Sequence, residues 1–133
     1  MRMSGTGARD TLRLEAGICL YGNEISESTT PIEASLKWII GKRRIMEKNF
    51  YGNEIILKQL NEGTSINRIG FIANEGPPIR EGTLIYTDDS RQETAGRVTS
   101  GNFSPCLKKP IGMAYVNSNT QVYIIDNKDW ICS

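Results

Sequence analysis

The periodicity of the chain changes at Ser65, and this restricts the fold more than any other feature. Beyond that point apolar and β-branched residues come in runs of strand length: Ile66 to Ala73, Thr83 to Thr87, Thr94 to Thr99, Ile111 to Val116 and Gln121 to Asp126. Turn formers separate them, namely Glu75-Gly76-Pro77-Pro78, Asp88-Asp89-Ser90 and Ser100-Gly101. Several short strands at such spacing build a small sandwich or barrel. Before Ser65 the pattern is helical. Asp10 reads as the N-cap of a short helix carrying Leu12, Leu14 and Ala16, with Gly17 as its stop. Arg9 then falls in a loop with Gly5 and Gly7, free to face a ligand, and Gly22-Asn23 turns the chain. Thr30-Pro31-Ile32-Glu33 combines a cap, a first-turn proline and a capping-box acid. Ile32, Leu36 and Ile39/Ile40 continue at helical spacing to Gly41, with Trp38 expected in the core. A further short helix runs from Gly52 to Leu60 and is stopped by Asn61 and Gly63. The shift to charge and glycine between Arg44 and Gly52 marks a boundary, dividing the chain into 1–48 and 49–133.

The chain contains no histidine, which removes Ser-His-Asp and Cys-His nucleophile systems, H-E-x-x-H metal sites and any histidine base. Chemistry here must use carboxylates, Arg, Lys, Tyr or thiols. Cys19, Cys106 and Cys132 are far apart, odd in number and without a C-x-x-C pair, so no metal site and no disulfide framework is expected. They read as reduced thiols of an intracellular protein. A net charge of +1 gives no reason to expect nucleic acid or a membrane surface as partner. Lys42-Arg43-Arg44, the one basic run, reads as a solvated strand end or turn. No window approaches the apolar length of a membrane span, and Met1 to Gly7 has the character of neither a secretory signal nor a transit peptide. Met1-Arg2-Met3-Ser4 reads as an abrupt start ahead of a motif already in progress, as in a piece of a longer protein. Arg13 and Glu15, two residues apart, point to different helix faces and are no natural pair.

Three stretches, in order, resemble the aminomethyltransferase (T protein) family of the glycine cleavage system. The first is Gly7-Ala8-Arg9-Asp10-Thr11-Leu12-Arg13-Leu14-Glu15-Ala16-Gly17 with Cys19-Leu20-Tyr21-Gly22-Asn23-Glu24-Ile25. The second runs from Thr29-Thr30-Pro31-Ile32-Glu33 through Gly41-Lys42-Arg43-Arg44. The third comprises Arg68-Ile69-Gly70-Phe71, the turn Gly76-Pro77-Pro78-Ile79-Arg80 and the run Val98-Thr99-Ser100-Gly101 to Ser104-Pro105-Cys106-Leu107-Lys108-Lys109. The resemblance implies an α+β tail of a folate-binding region over 1–48, followed by an all-β, jelly-roll-like barrel domain over 49–133. It implies transfer of a one-carbon unit from aminomethyl-lipoyl on the H protein to tetrahydrofolate, with release of ammonia and no metal. Arg9 matches the family's folate-contacting arginine, and Arg80, on the G-x-P-x-R turn, is expected to line the cleft used by folate or the lipoyl arm. The family's key Asp and pteridine-binding Glu have no counterpart, so no catalytic residue is assigned and the chain alone is expected to be inactive. The end departs from the family pattern: the closing strand reads as lost or replaced, leaving an unpaired edge with Trp130-Ile131 exposed. Mitochondrial forms give the better match, implying the matrix, with the cytoplasm for a bacterial source. Two alternatives stay open: a non-enzymatic folate-binding or interaction module of the same fold, or a piece of a dimethylglycine or sarcosine dehydrogenase-like protein. Against iron–sulfur assembly relatives stands Lys48-Asn49-Phe50-Tyr51-Gly52-Asn53-Glu54, which lacks the cysteine of their K-G-C-Y-x-G-Q-E motif.

Overall fold

The computed structural model describes residues 4–74, 76–87 and 93–119 and the backbone of Trp130–Cys132. Three α-helices, α1 (Thr6–Glu15), α2 (Lys42–Glu47) and α3 (Asn53–Glu62), and a 3-10 turn at Lys37–Ile39 precede the sheet. The strands are β1 (Ile66–Ala73), β2 (Leu84–Tyr86), β3 (Thr94–Ser104), β4 (Lys109–Asn117) and β5 (Trp130–Cys132). They form one antiparallel sheet in the order β2-β3-β4-β1-β5. A helical part followed by an antiparallel β part is the class the sequence implies, and the sheet is open, with β2 and β5 at its edges.

β4 is the central strand, and its two faces explain the packing. Ile111 and Met113 point to one side, where they meet Leu14 of α1. Ala114 and Val116 point to the other and join Phe71, Ile79, Ile85, Ala95 and Val98 in the main core. A strand covered on both faces reads as a continuous buried run, and Pro110 to Ala114 are all buried.

Several sequence expectations are corrected. Helix α1 begins one turn early, with Gly5 as its N-cap, so Asp10 is not a cap and Arg9 lies inside the helix rather than in a loop. Gly17 does stop it: with φ +70 it donates to Leu14, and Ile18 donates to Arg13, both carbonyl acceptors of a Schellman end. The helix expected from Thr30 to Gly41 is one turn. Its capping box forms, Thr30 N–H donating to Glu33 Oε2 at 3.0 Å and Glu33 N–H to Thr30 Oγ1 at 3.2 Å. The backbone then reverses at Ser35, in the left-handed region at φ +57, with Ser35 and Leu36 donating back to Ile32 and Pro31. Gly41 opens α2 rather than closing a helix, so Lys42, Arg43 and Arg44 are helical and exposed. Trp38 is 79% exposed, not core. Ser100-Gly101 does not end a strand; β3 passes through a bulge between Val98 and Ser100 and continues to Ser104. At the end where the closing strand is expected to be lost or replaced, Trp130–Cys132 pairs as β5 with β1, Phe71, Ile72 and Ala73 facing Cys132, Ile131 and Trp130. The strand expected at Gln121–Asp126 lies outside the described residues.

Glu33 also accepts a bond from Gln59 of α3 at 3.0 Å, and its carbonyl accepts the Arg68 N–H at 2.9 Å. Glu33→Ala removes the capping box and this bridge together, and is expected to lower stability by about 1–2 kcal/mol in a urea titration. An unchanged midpoint would show that the turn needs neither.

Candidate functional site

The site grows from one arginine. Arg13 sits in the last turn of α1, on the face turned to the sheet, and retains 9% exposure. Its Nε donates to Asp10 Oδ1 at 2.8 Å, a pair that the three-residue helical spacing makes natural. Nη1 donates to Glu24 Oε2 at 2.6 Å and to the Ile18 carbonyl at 3.3 Å, and Nη2 donates to Ser100 Oγ at 2.8 Å. All three guanidinium nitrogens are therefore engaged.

Glu24 is the counterpart, its side chain fully buried. The Gly22-Asn23 turn places it, with Gly22 at φ +98 and both Asn23 and Glu24 donating to the Leu20 carbonyl. Leu20 N–H returns a bond to Glu24 Oε2 at 2.9 Å, and Thr99 Oγ1 donates to Oε1 at 2.9 Å. Burial pushes the Glu24 carboxyl up, yet Ser100, the Leu20 N–H, Thr99 and the Arg13 charge together hold it below its ordinary value of 4.5. Tyr115 donates to the Glu24 carbonyl at 2.8 Å, and burial pushes its hydroxyl up to about 12. Asn23 reaches across to the Thr99 carbonyl and Ser100 Oγ, both at 3.3 Å, and Asn102 donates to Asp10 Oδ2 at 3.2 Å. Helix α1, the turn after it and β3 are thus held as one body.

Beside this joint opens a polar cleft of about 250 Å³, lined by Asp10, Arg13, Asn23, Arg80, Glu81 and Ser100. Arg80 is exposed at its rim; its turn is tied by Thr83, whose Oγ1 donates to the Arg80 carbonyl at 2.9 Å. Arg9 is also exposed, on α1, and does not line this cleft. The two arginines singled out from the sequence are therefore not brought into one pocket. Arg13, Glu24, Asn23 and Ser100 escaped sequence reasoning; the Asp10–Arg13 spacing was the available signal, whereas the partners on β3 are more than seventy residues away. Glu15, as expected, is no partner of Arg13. It accepts from Ser104 Oγ at 2.5 Å and from Cys106 N–H at 3.3 Å, which holds the β3–β4 turn and lowers its carboxyl. Glu15 in turn raises the Cys106 thiol. Cys19 and Cys106 are free thiols. Among the described residues no three His, Cys, Asp or Glu side chains are grouped as a metal site, and no helix is long and apolar enough to cross a membrane.

Comparison with known proteins gives concordant matches in both parts of the chain. Residues 67–126 match the glycine cleavage T-protein C-terminal barrel domain, and residues 1–44 the GCVT N-terminal domain. The mitochondrial aminomethyltransferase of Solanum tuberosum is 55% identical over 118 residues, covering 89% of this chain and 28% of that protein. The probable mitochondrial aminomethyltransferase of Schizosaccharomyces pombe is 51% identical over 118 residues, covering 89% of this chain and 30% of its own. The crystal structure of the glycine cleavage system aminomethyltransferase T from Bartonella henselae superposes with a TM-score of 0.81 at 38% identity, covering 94% of this chain and 36% of that one. The chain thus spans less than a third of the length of the curated relatives it matches. With two successive domains of one family matched in order, and an antiparallel sheet where that family has its barrel, this chain belongs to the glycine cleavage T-protein family.

Proposed function

We propose that the chain supplies part of an aminomethyltransferase that moves a one-carbon unit from aminomethyl-lipoyl on the H protein to tetrahydrofolate, releasing ammonia and giving 5,10-methylenetetrahydrofolate. The observation that carries this is the 55% identity to a named aminomethyltransferase over 118 residues. On this reading 1–48 is the end of the folate-binding region and 49–133 the barrel domain. The transfer needs a carboxylate to hold the folate amine, a shaped pocket for the pteridine and cationic groups along an anionic tail. Arg9 and Arg80 are the cationic contacts on this chain, since a guanidinium binds a carboxylate in bidentate fashion. The role of Arg13 is to position: its nitrogens are spent on Asp10, Glu24 and Ser100, and they fix the wall of the cleft that Arg80 borders. No residue of this chain is assigned to the chemical step, and the chain alone is inactive. The partners are the H protein and tetrahydrofolate, with no metal, nucleic acid or membrane. The location is the mitochondrial matrix for a eukaryotic source and the cytoplasm for a bacterial one, a reading supported by relatives named as mitochondrial.

Calorimetric titration of residues 1–133 with tetrahydrofolate tests the assignment. Arg9→Ala and Arg80→Ala are each expected to weaken binding by about tenfold or more, the worth of a charge-assisted hydrogen bond. Binding equal to that of the unaltered chain in both variants would remove the two arginines from the site.

A further inference from the structure

We propose that the polar cleft beside the Arg13–Glu24 joint is a binding site for a small zwitterion of the α-amino-acid class. Its lining carries the guanidinium groups of Arg13 and Arg80 and the carboxylates of Asp10 and Glu81, so the walls sum to zero charge with both signs present. A ligand that is only an anion meets Asp10 and Glu81, and one that is only a cation meets Arg80; like charges brought together in a site are costly. A neutral ligand with a carboxylate and an ammonium on one carbon can turn each group to its opposite. The volume of about 250 Å³ falls below the roughly 300–1,000 Å³ of sites for drug-sized molecules, which restricts the ligand to a few heavy atoms.

The bonding capacity left over in the cleft is two-sided in the same way. Arg13 is saturated by the joint, but the guanidinium of Arg80 has no hydrogen-bond or ion-pair partner among the described residues. A planar fork of donors of this kind takes a carboxylate in bidentate fashion. On the acidic side, Glu81 accepts a long bond from Asn23, at 3.4 Å, and the Asn23 carbonyl oxygen accepts none among the described residues. With Asp10, whose side chain stays 32% exposed, these groups offer three acceptors to an ammonium, which has three N–H donors. The walls are built before any ligand arrives. Thr83 Oγ1 donates to the Arg80 carbonyl, Gly82 N–H donates to the Val98 carbonyl at 2.9 Å, and Asn23 is tied to Thr99 and Ser100 of β3. A site held in this way loses little freedom on binding. The named walls come from α1, the Gly22-Asn23 turn, the Arg80 turn and β3, all within this chain.

The test is a chemical-shift titration of residues 1–133 with glycine, with acetate and methylammonium as the two halves of the same molecule. Glycine is expected to shift the amide signals of Asn23, Glu81 and Gly101 saturably, and to bind about tenfold or more tighter than either half, since each charge adds a charge-assisted hydrogen bond. Arg80→Gln and Glu81→Gln, both at exposed positions, are each expected to weaken glycine binding by about tenfold while the melting temperature stays unchanged. That separates a lost site from a lost fold. Three results would overturn the inference: no saturable shift with glycine, glycine held no tighter than its halves, or binding indifferent to both substitutions. The inference does not rest on the transfer reaction. Arg80 is also the proposed contact of the folate tail, so glycine is expected to weaken tetrahydrofolate binding; glycine bound without that competition upholds the cleft and counts against Arg80 in the folate site.

Discussion

Arg13→Leu is expected to lower the stability of the chain by about 3–5 kcal/mol, the cost of stranding one partner of a buried ion pair. Glu24 is fully buried, and its carboxylate would lose the Arg13 cation together with the 2.6 Å bond. Ser100 and Asp10 each lose one donor in the same step and keep those from Asn23 and Asn102. The double variant Arg13→Leu/Glu24→Leu should recover part of the loss, since neither charge is then unpaired. Urea unfolding of the two variants and the unaltered chain decides the matter; a single variant within about 1 kcal/mol of the parent would show that the joint contributes little. The same network gives stability an acid limb. Because the folded carboxyl of Glu24 lies below its ordinary value of 4.5, its contribution is fully present above that value and is lost as pH falls through it toward the folded one. Glu24→Gln should flatten the thermal stability profile below pH 4.5 while lowering stability at neutral pH. A parent and variant with parallel acid limbs would assign the acid loss to other carboxylates.

The second large effect is expected at Gly101. A Cβ built there collides with the carbonyl oxygen of Ile79, and the obstacle is backbone, which has no rotamer to yield. To accept Gly101→Ala, the segment around Ile79 must lift from β3, drawing a buried core side chain with it. Crowding of this kind and the partial loss of Ile79 burial together cost about 3 kcal/mol. Gly41→Ala is the matched control: φ there is −58 and nothing lies within 4 Å of the added carbon, so its melting temperature should stay close to that of the parent. Equal effects at the two positions would show that the approach of the Ile79 carbonyl does not constrain the sheet.

Legibility in the sequence tracked the range of the interactions. Local chemistry was readable: the Schellman stop at Gly17, the Thr30–Glu33 capping box and the strand at Ile66–Ala73 depend on residues within one turn or one alternating run. Boundaries failed where a distant partner decided them. Asp10 has the character of a cap but is drawn to Arg13 and Asn102, which leaves the cap position to Gly5. Ser100-Gly101 has the character of a turn but lies under Ile79 and beside Arg13, and β3 runs on through it. Trp38 has the character of a core residue, since a large aromatic usually finds one. It lies instead on a helical part whose apolar face is open in this chain. The family resemblance reached further, because it rests on strings of residues whose joint occurrence no periodicity requires. It pointed to Arg9 and Arg80 but not to their placement, Arg80 at the rim of the polar cleft and Arg9 exposed on α1 outside it.

The Arg13–Ser100 bond spans 87 residues, whereas the β3–β4 hairpin beside it closes through a single turn after Ser104. Loop closure makes the distant contact the later of the two, since its entropy must be met before any bond can offset it. On that ground the hairpin is expected to assemble first, with α1 and the Gly22-Asn23 turn settling onto Thr99 and Ser100 afterwards. In kinetic terms the ionic joint is then expected to act as a latch closed after the main barrier. Weakening it should hasten the opening of the folded chain far more than it slows the forming of it.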